Sequence, residues 1–178
     1  MSASRIALTL VGVTFLIPQL FAQDKKPPLV TRERVQLNLT GAETVLEAAK
    51  KKATAMGLKM NIAIVDDGGH LLSFARMDGA RPASGTTALT KAVSAATFRQ
   101  ETGAFPAKGE PDLLLSLGLQ HAALASGGKV TTLKGGVPIV VDGQIVGAIG
   151  IGGGSGDQDV EVAKAGIQAL LESLGEKK

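Results

Sequence analysis

The sequence predicts an α+β fold, an antiparallel sheet of about five strands drawn from two hairpins, with helices packed on its faces. Three observations lead there. Two pairs of apolar β-type runs are each joined by a short Asp/Gly turn. Stretches with apolar residues at helical spacing precede, separate and follow those pairs. The strands come as adjacent hairpins rather than alternating singly with helices, which argues against a parallel sheet.

From the beginning of the chain, residues 1–23 read as a signal peptide: a weakly basic Met1–Arg5, an apolar Ile6–Ile17 too short for a stable span, and a Phe21-Ala22-Gln23 cleavage region. Residues 24–36, with Lys25-Lys26-Pro27-Pro28, read as a flexible tether, and residues 37–178 as one domain. Export to the periplasm or the medium is the expected destination. Thr40 and Glu43 form a capping box for a first helix carrying Val45, Leu46, Ala49 and Ala53 on one stripe, ended by Met56-Gly57. Asn61–Val65 and Leu71–Ala75 then make the first hairpin around Asp66-Asp67-Gly68-Gly69-His70.

A second helix runs from Ala83 or Ser84 to Gln100, with Ala88, Lys91, Ala92, Ala95 and Arg99 on one side. A lysine within an alanine face either snorkels to water, the more ordinary reading, or points a cation into a cleft. The third helix places Leu113, Leu114, Leu117, His121 and Leu124 on one stripe, so His121 is expected to be committed to packing. Lys129–Leu133 reads as a short edge strand. The second hairpin joins Pro138–Val141 to Gln144–Ile151 through Asp142-Gly143, a dipeptide suited to a type I′ turn.

After it, Gly152-Gly153-Gly154 leads to a capping box, Ser155 with Gln158, and a last helix with Val160, Ala163, Ile167, Leu170, Leu171 and Leu174 along its apolar stripe. The glycines either cradle an anion at the helix N-terminus or let strand, loop and helix pack tightly. Asp157 and Asp159 in the first turn suit the helix dipole and repel an anion, which favours packing.

Composition narrows the function. Nineteen Lys and Arg face sixteen Asp and Glu, Trp and Tyr are absent, and two of the five phenylalanines lie in the leader, so neither a basic patch nor a stacking platform for nucleic acid is available. Zero cysteine excludes disulfides, thiolate nucleophiles and c-type haem attachment. Two histidines and no G-x-S-x-G elbow argue against a serine triad. Asp66, Asp67, Asp78, Asp157 and Asp159 are potential oxygen ligands for a metal, though solvated turn and cap aspartates are the more ordinary reading.

The segments Ile64–Leu71, Arg76–Ala80, Lys91-Ala92, Gly135–Pro138 and Gly147–Gly150 through Asp159 resemble the GlcG/HbpS family, which is related to the C-terminal domain of PduO. The resemblance covers Asn38 to Leu174 and implies a profilin-like domain, a homo-oligomer and, in several members, haem binding, with haem degradation proposed for some. Haem needs an apolar slot, cations for its propionates and an axial ligand. Arg76, Arg81 and Lys91 are the candidate cations, His70 and His121 the candidate axial ligands, and Met77 a weaker one. His70, leaving a Gly-Gly turn, is the more accessible histidine. The expected function is an exported, oligomeric haem-binding protein for haem capture, storage or protection. The alternative is an enzyme or sensor for a small organic acid, held by Arg76, Lys91 and the Gly152–Asp157 loop with His70 transferring a proton.

Overall fold

In a computed structural model of the chain, the described residues are 34–106, 109–125 and 127–175. The predicted leader and most of the predicted tether lie outside them. The elements follow the order α1 (Leu39–Ala55), β1 (Asn61–Asp66), β2 (Leu71–Arg76), α2 (Ala83–Phe98), α3 (Leu113–Ala125), β3 (Gly136–Val141), β4 (Gln144–Gly152) and α4 (Gly156–Ser173). The sheet has the order β2-β1-β4-β3 with every neighbouring pair antiparallel, so the two hairpins meet where β1 pairs with β4.

The α+β prediction holds, with four strands among the described residues instead of about five. Residues 129–133 form no strand because side chains take their backbone groups. Ser94 Oγ accepts from the Thr131 N–H at 2.7 Å, and the Leu133 carbonyl accepts from Thr102 Oγ1, also at 2.7 Å. With those groups occupied, no ladder can form there.

Local chemistry accounts for most boundaries. Asp142 and Gly143 both have positive φ, 50° and 71°, the pattern of a type I′ turn, whose twist matches the strands it joins. Pro138, which has no N–H to donate, sits in the edge strand β3. At α4 the Ser155/Gln158 capping box is complete in both directions. At α1 the expected Thr40/Glu43 box gives way to Asn38, whose side chain accepts from the Gly41 N–H at 2.8 Å. Asparagine is an equally good cap, and using it starts the helix at Leu39, two residues earlier than the box would.

Two layers of helix cover the sheet. Val45, Leu46 and Ala49 of α1 and Val160, Val162 and Ala163 of α4 pack with Ile62, Ile64, Ile149 and Ile151 on one face. On the other face, Ala88, Ala92, Ala95 and Ala96 of α2 lie on Ala63, Val65 and Ala148. Small side chains on both surfaces let α2 approach the sheet closely.

The third helix departs from expectation. Its leucine stripe faces out: Leu113 and Leu114 are 71% and 81% exposed, Leu117 and Leu124 are exposed as well, and Ala123 alone is buried. His121, expected to be packed, is exposed too. The periodicity identified a helix correctly but could not say which surface the stripe would meet.

Candidate functional site

The antiparallel register separates the residues that the sequence nominated into distinct groups. Asn61 pairs with Arg76 and with Gly152 at one end of the sheet, while Val65 pairs with Leu71 at the other. His70 therefore lies at the turn end of β2, and Arg76 at the opposite end of the same strand, roughly 20 Å away along an extended chain.

His70 is held from behind by the turn. Asp66 Oδ1 accepts from the backbone N–H groups of Gly68 at 2.9 Å and His70 at 2.8 Å. Both carboxylate oxygens stand 3.2 Å from His70 Nδ1. A carboxylate can only accept, so Nδ1 is the donor in this contact, and in the neutral ring Nε2 carries the lone pair. The ring is 83% exposed, and Nε2 has no partner among the described residues. Burial pushes the Asp66 carboxyl up, but the His70 backbone and ring and the Gly68 N–H outweigh it and hold the group below its ordinary range. The arrangement of a carboxylate behind one imidazole nitrogen, with the other nitrogen open, orients and strengthens a metal-ligating histidine.

Beside that imidazole lies an apolar strip. A register shift between Ile64 and Val65 brings Leu71 opposite Val65, and Phe74 is opposite Ala63. Val65 and Ala63 belong to the cluster that α2 covers, so Leu71 and Phe74 emerge on that side of the edge strand. Both are exposed, and Leu89 and Val93 of α2 are half-buried on the same cluster. Arg76, opposite Asn61 at the far end of the strand, has no acceptor among the described residues.

Met77 turns the other way. It packs against the main core, its sulfur lies 3.5 Å from the Met60 nitrogen, and with Arg76, Lys50, Thr54 and Lys59 it borders an open groove of about 620 Å³.

Arg81 and Lys91 line a different cavity, of about 580 Å³, between the start of α2 and the loop before α4. The ordinary expectation for Lys91, a snorkelling side chain, is overturned. Its side chain is 7% exposed, and Nζ donates to Asp159 Oδ2 at 2.6 Å and to the Ile151 carbonyl at 2.8 Å. Asp159, only 2% exposed, also accepts from the Gly154 N–H at 3.0 Å, so it is a buried ion-pair partner and not a solvated cap residue. Sequence reasoning did not match it to Lys91. The signal was nonetheless present, since the buried stripe Leu170, Gly166, Ala163, continued one turn back, lands on Asp159.

The glycine run serves packing. A Cβ on Gly152 would stand 2.6 Å from the Ser84 carbonyl, and one on Gly153, at φ 137°, 2.9 Å from the Lys59 carbonyl. Two of the N–H groups that might cradle an anion already have partners, Gly154 giving to Asp159 and Ser155 to Gln158 Oε1. Across the cavity mouth Lys134 pairs with Asp157; the bond and charge of Asp157 raise the Lys134 pKa, and those of Lys134 lower that of Asp157.

His70 and Lys91 are on opposite flanks of α2: Val93 borders Gly69 on the β2 side, and Lys91 borders Gly136 on the β3 side. A single acid-binding pocket combining Arg76, Lys91, the glycine loop and His70 is therefore not formed. His121 belongs to neither group. Of the five aspartates weighed as metal ligands, Asp66, Asp67, Asp157 and Asp159 are each held by His70, Arg34, Lys134 and Lys91 respectively. Among the described residues no three His, Asp or Glu side chains are grouped to hold a metal ion.

Comparison with known proteins adds an independent line. The family model described as "Haem degrading protein HbpS-like" matches residues 37–168. Protein GlcG of Escherichia coli (strain K12) is 37% identical over 120 residues, covering 67% of this chain and 84% of GlcG. A crystal structure of a double mutant of Streptomyces reticuli HbpS shares 30% identity with a TM-score of 0.64, covering 82% of this chain and 98% of that one. A crystal structure of a PduOC:haem complex shares 28% identity with a TM-score of 0.62, covering 76% of this chain and 95% of that one.

Proposed function

This chain belongs to the HbpS-like family, and from that premise we propose that it binds haem along the outer side of β2, with His70 as the axial ligand. One observation carries the reading: His70 Nδ1 is committed to Asp66, which leaves Nε2 open at the end of a strand that exposes Leu71 and Phe74. An open imidazole at one end of β2, exposed apolar side chains along it and an unpaired cation at its other end are the three kinds of group a porphyrin requires. Haem, when bound, would supply an iron for oxygen chemistry or for simple retention. The chain's own part is to orient the imidazole through Asp66, to cover the macrocycle with Leu71 and Phe74, and to meet a propionate with Arg76. Arg81 and Lys91, in the cavity on the far flank of α2, are left out of this site.

We read the protein as a haem holder for capture, storage or protection. The haem complex of a structural relative supports the ligand, and the predicted leader supports export to the periplasm or the medium.

A second copy of the chain is the proposed cover for α3. The helix contains no charged residue and turns its leucines to solvent. Such a surface is stable when another copy shields it.

Haem titration followed by visible absorbance tests the ligand. The expected result is a saturable Soret shift that His70→Ala abolishes or strongly alters. A wild-type protein that leaves the spectrum of free haem unchanged would overturn the function, and a His70→Ala protein with the wild-type band would overturn the ligand.

A further inference from the structure

We infer that the cavity between α2 and the loop before α4 binds a small organic carboxylate, at a site separate from the haem strip and independent of that reading. The first argument is charge. Arg81, Lys91 and Lys134 line the cavity against a single carboxylate, Asp159, which Lys91 already neutralises. Lys134 is shared with Asp157 in an exposed pair, a weak tie that a better partner can displace. Arg81 has no carboxylate at all among the described residues. A concave, partly desolvated site with surplus positive charge concentrates small anions.

The second argument is preorganisation. Asn61 Nδ2, fully buried, donates to the Arg81 carbonyl at 3.0 Å and ties its backbone to the sheet. Arg81 Nε donates to the hydroxyl of buried Ser84, also at 3.0 Å. Both ends of the residue are thus held, and the two terminal nitrogens remain as a fork without an acceptor, the geometry that takes both oxygens of a carboxylate. Lys91 adds a donor from below. An ammonium has three protons, and Ile151 and Asp159 accept two of them.

The choice of carboxylate over phosphate follows from Asp159 and from the loop. Two of the loop N–H groups that would wrap a phosphate, those of Gly154 and Ser155, are spent on Asp159 and Gln158, and Arg81, the one lining cation with no carboxylate partner among the described residues, balances a single negative charge. A flat, singly charged head needs only the Arg81 fork and one ammonium proton. A volume of about 580 Å³ leaves room for a short carbon chain behind that head.

Isothermal titration calorimetry on the full chain, purified free of haem, tests this with acetate, pyruvate, lactate and inorganic phosphate at matched ionic strength. At least one carboxylate is expected to bind saturably and more tightly than phosphate. Arg81→Gln should weaken it by about tenfold or more, the loss of one charge-assisted pair, while Arg76→Gln leaves it unchanged. Lys134→Gln, another exposed position, should weaken it by a smaller factor and serves if Arg81→Gln fails to fold by circular dichroism. The haem titration of Arg81→Gln should match that of the wild type, so failure of either site is read separately. Absence of saturation by every carboxylate, phosphate binding as tightly as the carboxylates, or indifference to both Arg81→Gln and Lys134→Gln would each overturn the inference.

Discussion

Replacing Lys91 with methionine is the most demanding single test of how the two sides of this fold are joined. The substitution keeps the length of the side chain and removes its charge. It strands Asp159, 2% exposed, with the Gly154 N–H as its one remaining donor, and it leaves the Ile151 carbonyl without its 2.8 Å ammonium contact. Removing one partner of a buried pair costs about 3–5 kcal/mol, because the remaining charge is left uncompensated in a poorly polarisable surrounding. The residue has little room to adjust, since a Cβ on Gly135 would already lie 2.9 Å from Lys91 Nζ and 2.7 Å from Asp159 Cβ. For a domain of this size that loss corresponds to a fall in Tm of roughly 10–15 °C. Urea unfolding at pH 7, followed by far-UV circular dichroism, measures it directly. Asp159→Asn added to Lys91→Met removes the stranded charge and should restore half or more of the loss, since an amide oxygen still accepts from Gly154. A single variant within about 1 kcal/mol of wild type, or a double variant no better than the single, would refute the reasoning.

The remaining predictions concern the haem ligand, the turn and the third helix. His70→Ala should change the Soret band of the haem complex, whereas His121→Ala, at an exposed position, should leave both the band and the unfolding free energy unchanged within about 0.5 kcal/mol. Asp66 has a folded pKa below its unfolded value of about 3.9, so its contribution to stability is present above that pH and is lost as pH falls through the lower folded value. Asp66→Asn should therefore be less stable than wild type at pH 6, with the gap closing as the pH falls from about 4 towards 2; a gap independent of pH would contradict the assignment. Leu114→Glu places a charge on the most exposed leucine of α3 and should shift the light-scattering mass towards monomer without altering the circular dichroism spectrum. A wild-type chain that is already monomeric at micromolar concentration would remove the proposed interface.

What the sequence by itself determined was local and periodic. Asp142-Gly143 announced a type I′ turn because few residues tolerate positive φ at two consecutive positions, and Ser155 with Gln158 announced the start of α4 because two orphan N–H groups find partners there at once. The order of hairpins and helices was legible for the same reason, as was the accessibility of His70 beside its glycines, while the family was legible from the segments between Ile64 and Asp159 that resemble it. Direction and partnership were settled only in three dimensions. Lys91 sits in an alanine face whether it snorkels or turns inward, and what turns it inward is Asp159, 68 residues away in sequence. The leucines of α3 have a helical period whether they meet this chain or another, so exposure could not be read from them. The proposed haem residues looked like one set along the chain, yet an antiparallel register and the width of α2 put His70 and Lys91 on opposite flanks. Spacing encodes which residues share a face, but which faces meet is decided by the packing of the whole chain.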